Sequence, residues 1–255
     1  MKRDMSSFDA PSPGLSRRRF LSAAAAGAAA AALSGCVSVP NTSTRTVYIP
    51  TAPRLAPGQS SYRVMYGALV DNGFEIPSVP IDRMDPRMLR QEVDDPTGER
   101  PGTIVVDTSQ HFLYLVNEGG RALRYGVGLG RAGFEWSGRA QVERKAVWPK
   151  WHPPAEMIKR QPELEKYRTT FNKKTGEWEG GMEGGIMNPL GARALYLYQN
   201  GKDTLYRIHG SPEWWTIGKS VSSGCVRMLN QDAIDLYNRV PEGTPVLVTH
   251  GLYSA

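Results

Sequence analysis

From Thr103 onward the chain alternates between short runs of β-branched and aromatic residues and short polar breaks, a pattern that reads as strands and turns. The runs Thr103–Asp107 and His111–Val116 are almost continuously apolar, and Asn117–Gly120 supplies the turn that follows. Arg121–Val127 reads as the next strand. Ala194–Gln199 and Thr204–His209 form a further pair around Asn200-Gly201, the dipeptide suited to a tight hairpin in which both central residues take positive φ. Pro245–Thr249 is the last strand candidate. Two stretches carry helical spacing. One is opened by Pro153-Pro154 and ends near Gln161, with proline suited to the first turn. The other runs from Gln231 to Val240, where Ala233, Leu236, Tyr237 and Val240 share a face and Asn230 is placed to cap. Many short strands and few helices predict a mainly β domain over residues 101–250.

The pattern fails elsewhere, and each failure has a cause. In residues 61–100, Pro77, Pro80, Pro86 and Pro96 interrupt any long element, leaving order over Tyr62–Val70 and a short helix over Pro86–Val93 as expectations. This stretch reads as an extension packed on the main domain. Residues 37–60 are rich in Pro, Ser and Thr and read as a tether. Thr175–Gly185, rich in glycine and glutamate, reads as a mobile loop beside the site.

The first 35 residues are an address. Arg17-Arg18-Arg19 precede the run Leu21–Leu33, thirteen residues that are mostly alanine. A membrane span needs about 20 apolar residues, so the run fits the apolar core of an export signal, here of twin-arginine type. Leu33-Ser34-Gly35-Cys36 resembles a bacterial lipobox, which makes Cys36 the expected site of lipidation and first mature residue. Val37 after it leans, by analogy, towards the outer membrane. The expected location is therefore periplasmic and lipid-anchored.

Composition adds little beyond this. The formal charge is +6, but the first 35 residues hold five basic against two acidic residues, which leaves the remainder only mildly basic. No basic stripe of the kind that binds nucleic acid is present.

The remaining chemistry is concentrated in His209-Gly210-Ser211 and Ser222-Ser223-Gly224-Cys225-Val226-Arg227. These place a histidine at a strand end and a cysteine in a small-residue turn just before a helix. A thiolate is the nucleophile, and an imidazole can take its proton. The backbone N–H groups of Gly224 and Cys225 are candidates for holding an oxyanion. From residue types alone, Cys225 is equally a catalytic nucleophile or a buried structural thiol. There is no metal-ligand cluster of the usual spacing, and no cofactor is called for.

The two segments resemble the catalytic signature of the L,D-transpeptidases, the YkuD-domain family, in which a His-Gly-Thr/Ser strand end leads through a loop to Ser-x-Gly-Cys-Ile/Val-Arg. Asn188-Pro189-Leu190-Gly191 resembles a further family element. The resemblance covers residues 101–250 and implies a β-sandwich catalytic domain with Cys225 as nucleophile and His209 as base. It implies acyl transfer from a peptidoglycan stem tetrapeptide, with loss of D-alanine, to the amine of another stem, a D-amino acid or a wall-attached lipoprotein. Many members carry histidine where this chain has Ser223, so the burden here falls on His209. Arg227, Ser222, Ser223, Trp214 and Trp215 are candidate substrate contacts, weighed against an ion pair for Arg227 and loop packing for the tryptophans. His111, His152 and His250 read as surface or packing residues. An L,D-carboxypeptidase or wall hydrolase would use the same residues. A non-catalytic wall-binding lipoprotein is the reading from another class. A papain-like order is disfavoured because His209 precedes Cys225.

Overall fold

A computed structural model of the chain describes residues 59–130, 136–222 and 224–252. The export signal, Cys36, all but the last two residues of the tether, and Ser223 lie outside the described residues.

The six runs read as strands join three further segments in one nine-stranded sheet. Its members in chain order are β1 (Gln91–Asp94), β2 (Ile104–Asp107), β3 (Phe112–Asn117), β4 (Arg121–Gly126) and β5 (Gly138–Val147). They continue with β6 (Arg193–Gln199), β7 (Lys202–Ser211), β8 (Val226–Leu229) and β9 (Pro245–Thr249). The spatial order is β8-β7-β6-β5-β9-β2-β3-β4-β1. All neighbours are antiparallel except β7 with β8 and β9 with β2. The sheet folds over on itself: Gly128, two residues past β4, forms a bridge with Arg227 of the edge strand β8. The sandwich is thus a single hydrogen-bonded sheet wrapped around its own core.

Alternation places one residue of every pair in that core. Ile104 and Val106, Leu113 and Leu115, Leu195 and Leu197, Ile208, Val226, Met228, Val246 and Val248 cluster there with Leu236 and Val240. The continuous apolar character of β2 and β3 has a second cause. Their other faces, through Val105, Phe112, Tyr114 and Val116, are covered by Tyr66, Met88 and Leu89 of residues 61–100. Strands buried on both sides lose their polar alternation.

Among the described residues three α-helices accompany the sheet: α1 (Gln59–Met65), α2 (Ala155–Arg160) and α3 (Asn230–Arg239). None of the described helices is long and apolar enough to cross a membrane.

Several expectations need correction. β5 was not anticipated, because Gly138–Val147 is built from charged residues and good helix formers. It nonetheless sits between β6 and β9, since tertiary pairing outweighs propensity. Pro86–Val93 is not one helix. A single 3-10 turn, Pro86–Met88, gives way to β1, which pairs with β4. Within Thr175–Gly185, Glu177–Glu179 pairs with Thr170–Asn172, and Met182 bridges to Trp151, so the segment has fixed partners. Asn230 does not cap α3. Leu229 holds the cap position, and Asn230 lies inside the first turn with its side chain turned elsewhere.

Candidate active site

β7 and β8 run parallel, with Ile208 beside Val226 and His209 beside Arg227. Because Ile208, Val226 and Met228 face the core, alternation turns Arg207, His209, Cys225 and Arg227 to the opposite face. The sequence separation of histidine and cysteine is therefore cancelled by strand pairing. Cys225 stands at the head of β8, level with Arg207, and its sulfur accepts the Arg207 backbone N–H. The cysteine does not abut a helix, as the sequence suggested: β8 intervenes before α3.

His209 is 4% exposed. Its Nδ1 lies 2.6 Å from the Gly210 carbonyl oxygen. A carbonyl only accepts, so Nδ1 carries the proton and the Nε2 lone pair is free. Burial, reinforced by the charges of Arg227 and Arg207, lowers the imidazole to about 4, although the Gly210 bond opposes this. The ring is therefore neutral at physiological pH and competent as a base. Burial pushes the half-buried Cys225 thiol up, against the Arg207 N–H and the same two arginines. The resting pair is thus neutral thiol and neutral imidazole. Both arginines favour a thiolate over an imidazolium, and each is balanced by an acid. Arg207 pairs with Asp203 at 2.7 Å, and Arg227 with Glu213 at 2.5 Å.

Glycines make the surrounding backbone possible. Gly224, directly before the nucleophile, has φ +129°, and a Cβ there would lie 3.5 Å from the Tyr206 ring. On the far side of His209, a Cβ on Gly210 would meet Asn230 Oδ1 at 2.3 Å, and one on Gly191 the same atom at 2.2 Å. That oxygen accepts the Ala192 N–H at 2.9 Å, so Asn230 stitches the ends of β6 and β7 beside the histidine. The Asn188–Gly191 element belongs to this support. Asn188 is fully buried and donates to the carbonyls of Pro149, Met182 and Glu183.

The remaining candidates separate. Arg227 makes the ion pair weighed for it, anchoring the 212–219 loop to β8. Trp214 packs on the second core cluster, and Trp215 is 51% exposed; their rings meet edge to face at 5.9 Å. Ser222 ends a strand, Ser220–Ser222, that pairs with Leu129–Gly130. His111 Nε2 contacts Ser220 Oγ at 2.9 Å, while His152 and His250 contact Thr169 and Thr108. Arg207 and Glu213 escaped the sequence reading, which gave Asn230 only as a helix cap and missed its place beside His209. Arg207 had a signal, since period-two spacing places it on the face of His209. Asn230 had none, because its role depends on two distant glycines. Among the described residues no cluster of His, Cys, Asp or Glu is arranged to hold a metal ion.

Comparison with known proteins bears on the same region. The family model for the L,D-transpeptidase catalytic domain, YkuD, matches residues 101–248. The chain is 32% identical over 148 residues to the probable L,D-transpeptidase YbiS of Escherichia coli K12, covering 56% of this chain and 43% of that protein. It is 29% identical over 164 residues to the probable L,D-transpeptidase ErfK/SrfK of the same strain, covering 63% and 47%. The chain thus spans under half the length of these curated relatives. A crystal structure from Brucella melitensis, titled a probable carnitine operon oxidoreductase, is 46% identical and covers 67% of this chain and 99% of that one, with a TM-score of 0.42.

Proposed function

The chain belongs to the L,D-transpeptidase catalytic-domain family, and from that premise we propose that it is a peptidoglycan L,D-transpeptidase working outside the cytoplasm. The observation that carries the reading is the placing of Cys225 and His209 on one face of paired strands, with the histidine proton held at Nδ1.

In this reading Cys225 attacks the carbonyl between the third and fourth residues of a stem tetrapeptide, and His209 Nε2 takes the thiol proton. The backbone N–H groups of Gly224 and Cys225 face the developing oxyanion. The tetrahedral adduct collapses with cleavage of the C–N bond, and His209 returns the proton to departing D-alanine. An incoming amine then attacks the thioester, gives up a proton to His209, and expels the Cys225 thiolate, which recovers that proton from His209. The acceptor is another stem, giving a 3-3 crosslink, or a D-amino acid or a lysine of a wall-attached lipoprotein. The low imidazole pKa keeps His209 unprotonated and ready to accept a proton, and it lowers the driving force for taking one from the thiol. The arginine-led signal and the Leu33–Cys36 lipobox support export and lipid anchoring at Cys36.

Purified full chain incubated with tetrapeptide muropeptides and read by mass spectrometry tests the proposal. D-alanine release and a crosslinked dimer are expected, both absent in Cys225→Ala and reduced roughly 10²–10⁴-fold in His209→Gln. A trimmed tripeptide as sole product would assign the acyl group to water. No release at all would leave a wall-binding protein.

A further inference from the structure

The loop between the base and the nucleophile has a second face. Trp214–Lys219 meets Arg83–Met88 of the extension across an open groove of about 470 Å³. Its floor is tightly made: Met88 lies under Gly218, where a Cβ would meet the methionine sulfur at 3.3 Å. Its rim carries charge. Arg87 is matched by Asp85 at 2.7 Å. Arg83 and Lys219, one on each wall, have no acidic partner among the described residues. The Arg83 guanidinium carbon lies over the Trp214 ring, 5.0 Å from its centroid, a cation–π contact that occupies no N–H group needed for a carboxylate. Trp215 adds an exposed apolar wall.

Two separate cations flanking aromatic surface match a ligand with separate single charges on an apolar backbone. They match a polyphosphate poorly, since that ligand demands a contiguous basic stripe. The same loop continues through Ser220–Ser222 towards Cys225, and Glu213 ties it to Arg227.

We propose that this groove is a substrate subsite that holds free carboxylates of a wall stem peptide through Arg83 and Lys219, with Trp214 and Trp215 against its aliphatic parts. The identity of the ligand rests on the transpeptidase reading; the groove's preference for a carboxylate-bearing peptide can be measured without turnover.

The probe is a stem tetrapeptide titrated calorimetrically into full chain carrying Cys225→Ala. Adding Arg83→Gln and Lys219→Gln is expected to weaken binding roughly tenfold at low salt, the scale of two exposed charge contacts. Amidating the peptide's carboxylates should cost the Cys225→Ala parent a similar factor and the triple variant nothing. In the active protein the two substitutions should raise KM with kcat steady, and leave alkylation of Cys225 by iodoacetamide unchanged. Equal affinity in parent and triple variant, or an amidation effect that persists without the two cations, overturns the proposal. Loss of polyphosphate binding with peptide binding intact overturns it in favour of a phosphate polymer. Groove-dependent peptide binding in a wild-type chain that releases no D-alanine would instead defeat the transpeptidase reading and spare the subsite.

Discussion

At the scale of single residues, the site is governed by burial acting oppositely on two groups. His209 titrates near its ordinary value of about 6.5 in the unfolded chain and at about 4 in the fold. The unfolded state therefore binds the proton first as pH falls. This contribution to stability is intact above about 6.5 and is lost progressively down to about 4, amounting to about 3 kcal/mol at most. Urea unfolding at pH 7.5 and pH 4 should show His209→Gln losing less stability between the two than wild type. An equal loss in both proteins would mean that the imidazole is not held neutral. Cys225 is raised by burial, so its alkylation, followed at the Cys225 peptide by mass spectrometry, should climb steadily with pH through 8. A plateau reached by pH 6 would reveal a resting thiolate–imidazolium pair instead.

At the scale of elements, the ends of β6 and β7 are held by one asparagine in space left by two glycines. Asn230→Ala leaves the Ala192 N–H buried without its acceptor, which costs about 1–3 kcal/mol. Gly210→Ala should cost more, because its Cβ would stand 2.3 Å from Asn230 Oδ1. Denaturant midpoints order the two variants, and Gly210→Ala combined with Asn230→Ala should recover part of the loss. The same logic accounts for the parallel pairing of β7 and β8. The 212–219 loop, clamped by the Glu213–Arg227 pair and by Gly128 against Thr216, returns the chain to the edge beside the strand it left.

At the scale of the whole molecule, residues 61–100 are joined to the sheet through buried polar contacts as well as apolar ones. The Tyr66 hydroxyl donates to Asp232 at 3.0 Å and accepts the Arg90 N–H at 2.6 Å. Arg90 in turn meets Asp235 at 2.6 Å, and Asp235 accepts from Tyr125 at 2.7 Å. Tyr66→Phe keeps the ring but strands a carboxylate oxygen and an amide, so a loss of about 1–3 kcal/mol is expected by urea unfolding. An unchanged midpoint would show that the extension contributes only apolar cover. Asp71, a few residues after Tyr66, performs a similar task, accepting from Arg193 and from the Trp148 ring N–H.

What the linear chain determined was local. Asn200-Gly201 takes φ of +52° and +70° and turns β6 into β7, as its residue types demand. Continuous apolar runs became the doubly buried strands β2 and β3, and spacing at 3.6 residues marked α3. The motif around His209 and Cys225 named the residues of the candidate site because their types are specific to their chemistry. Pairing across the sheet decided the rest. Only a parallel neighbour brings Cys225 level with Arg207, only burial sets the imidazole's proton affinity, and only distant partners make a strand of the charged Gly138–Val147. These properties arise from groups far apart along the chain, and a one-dimensional pattern carries no term for them.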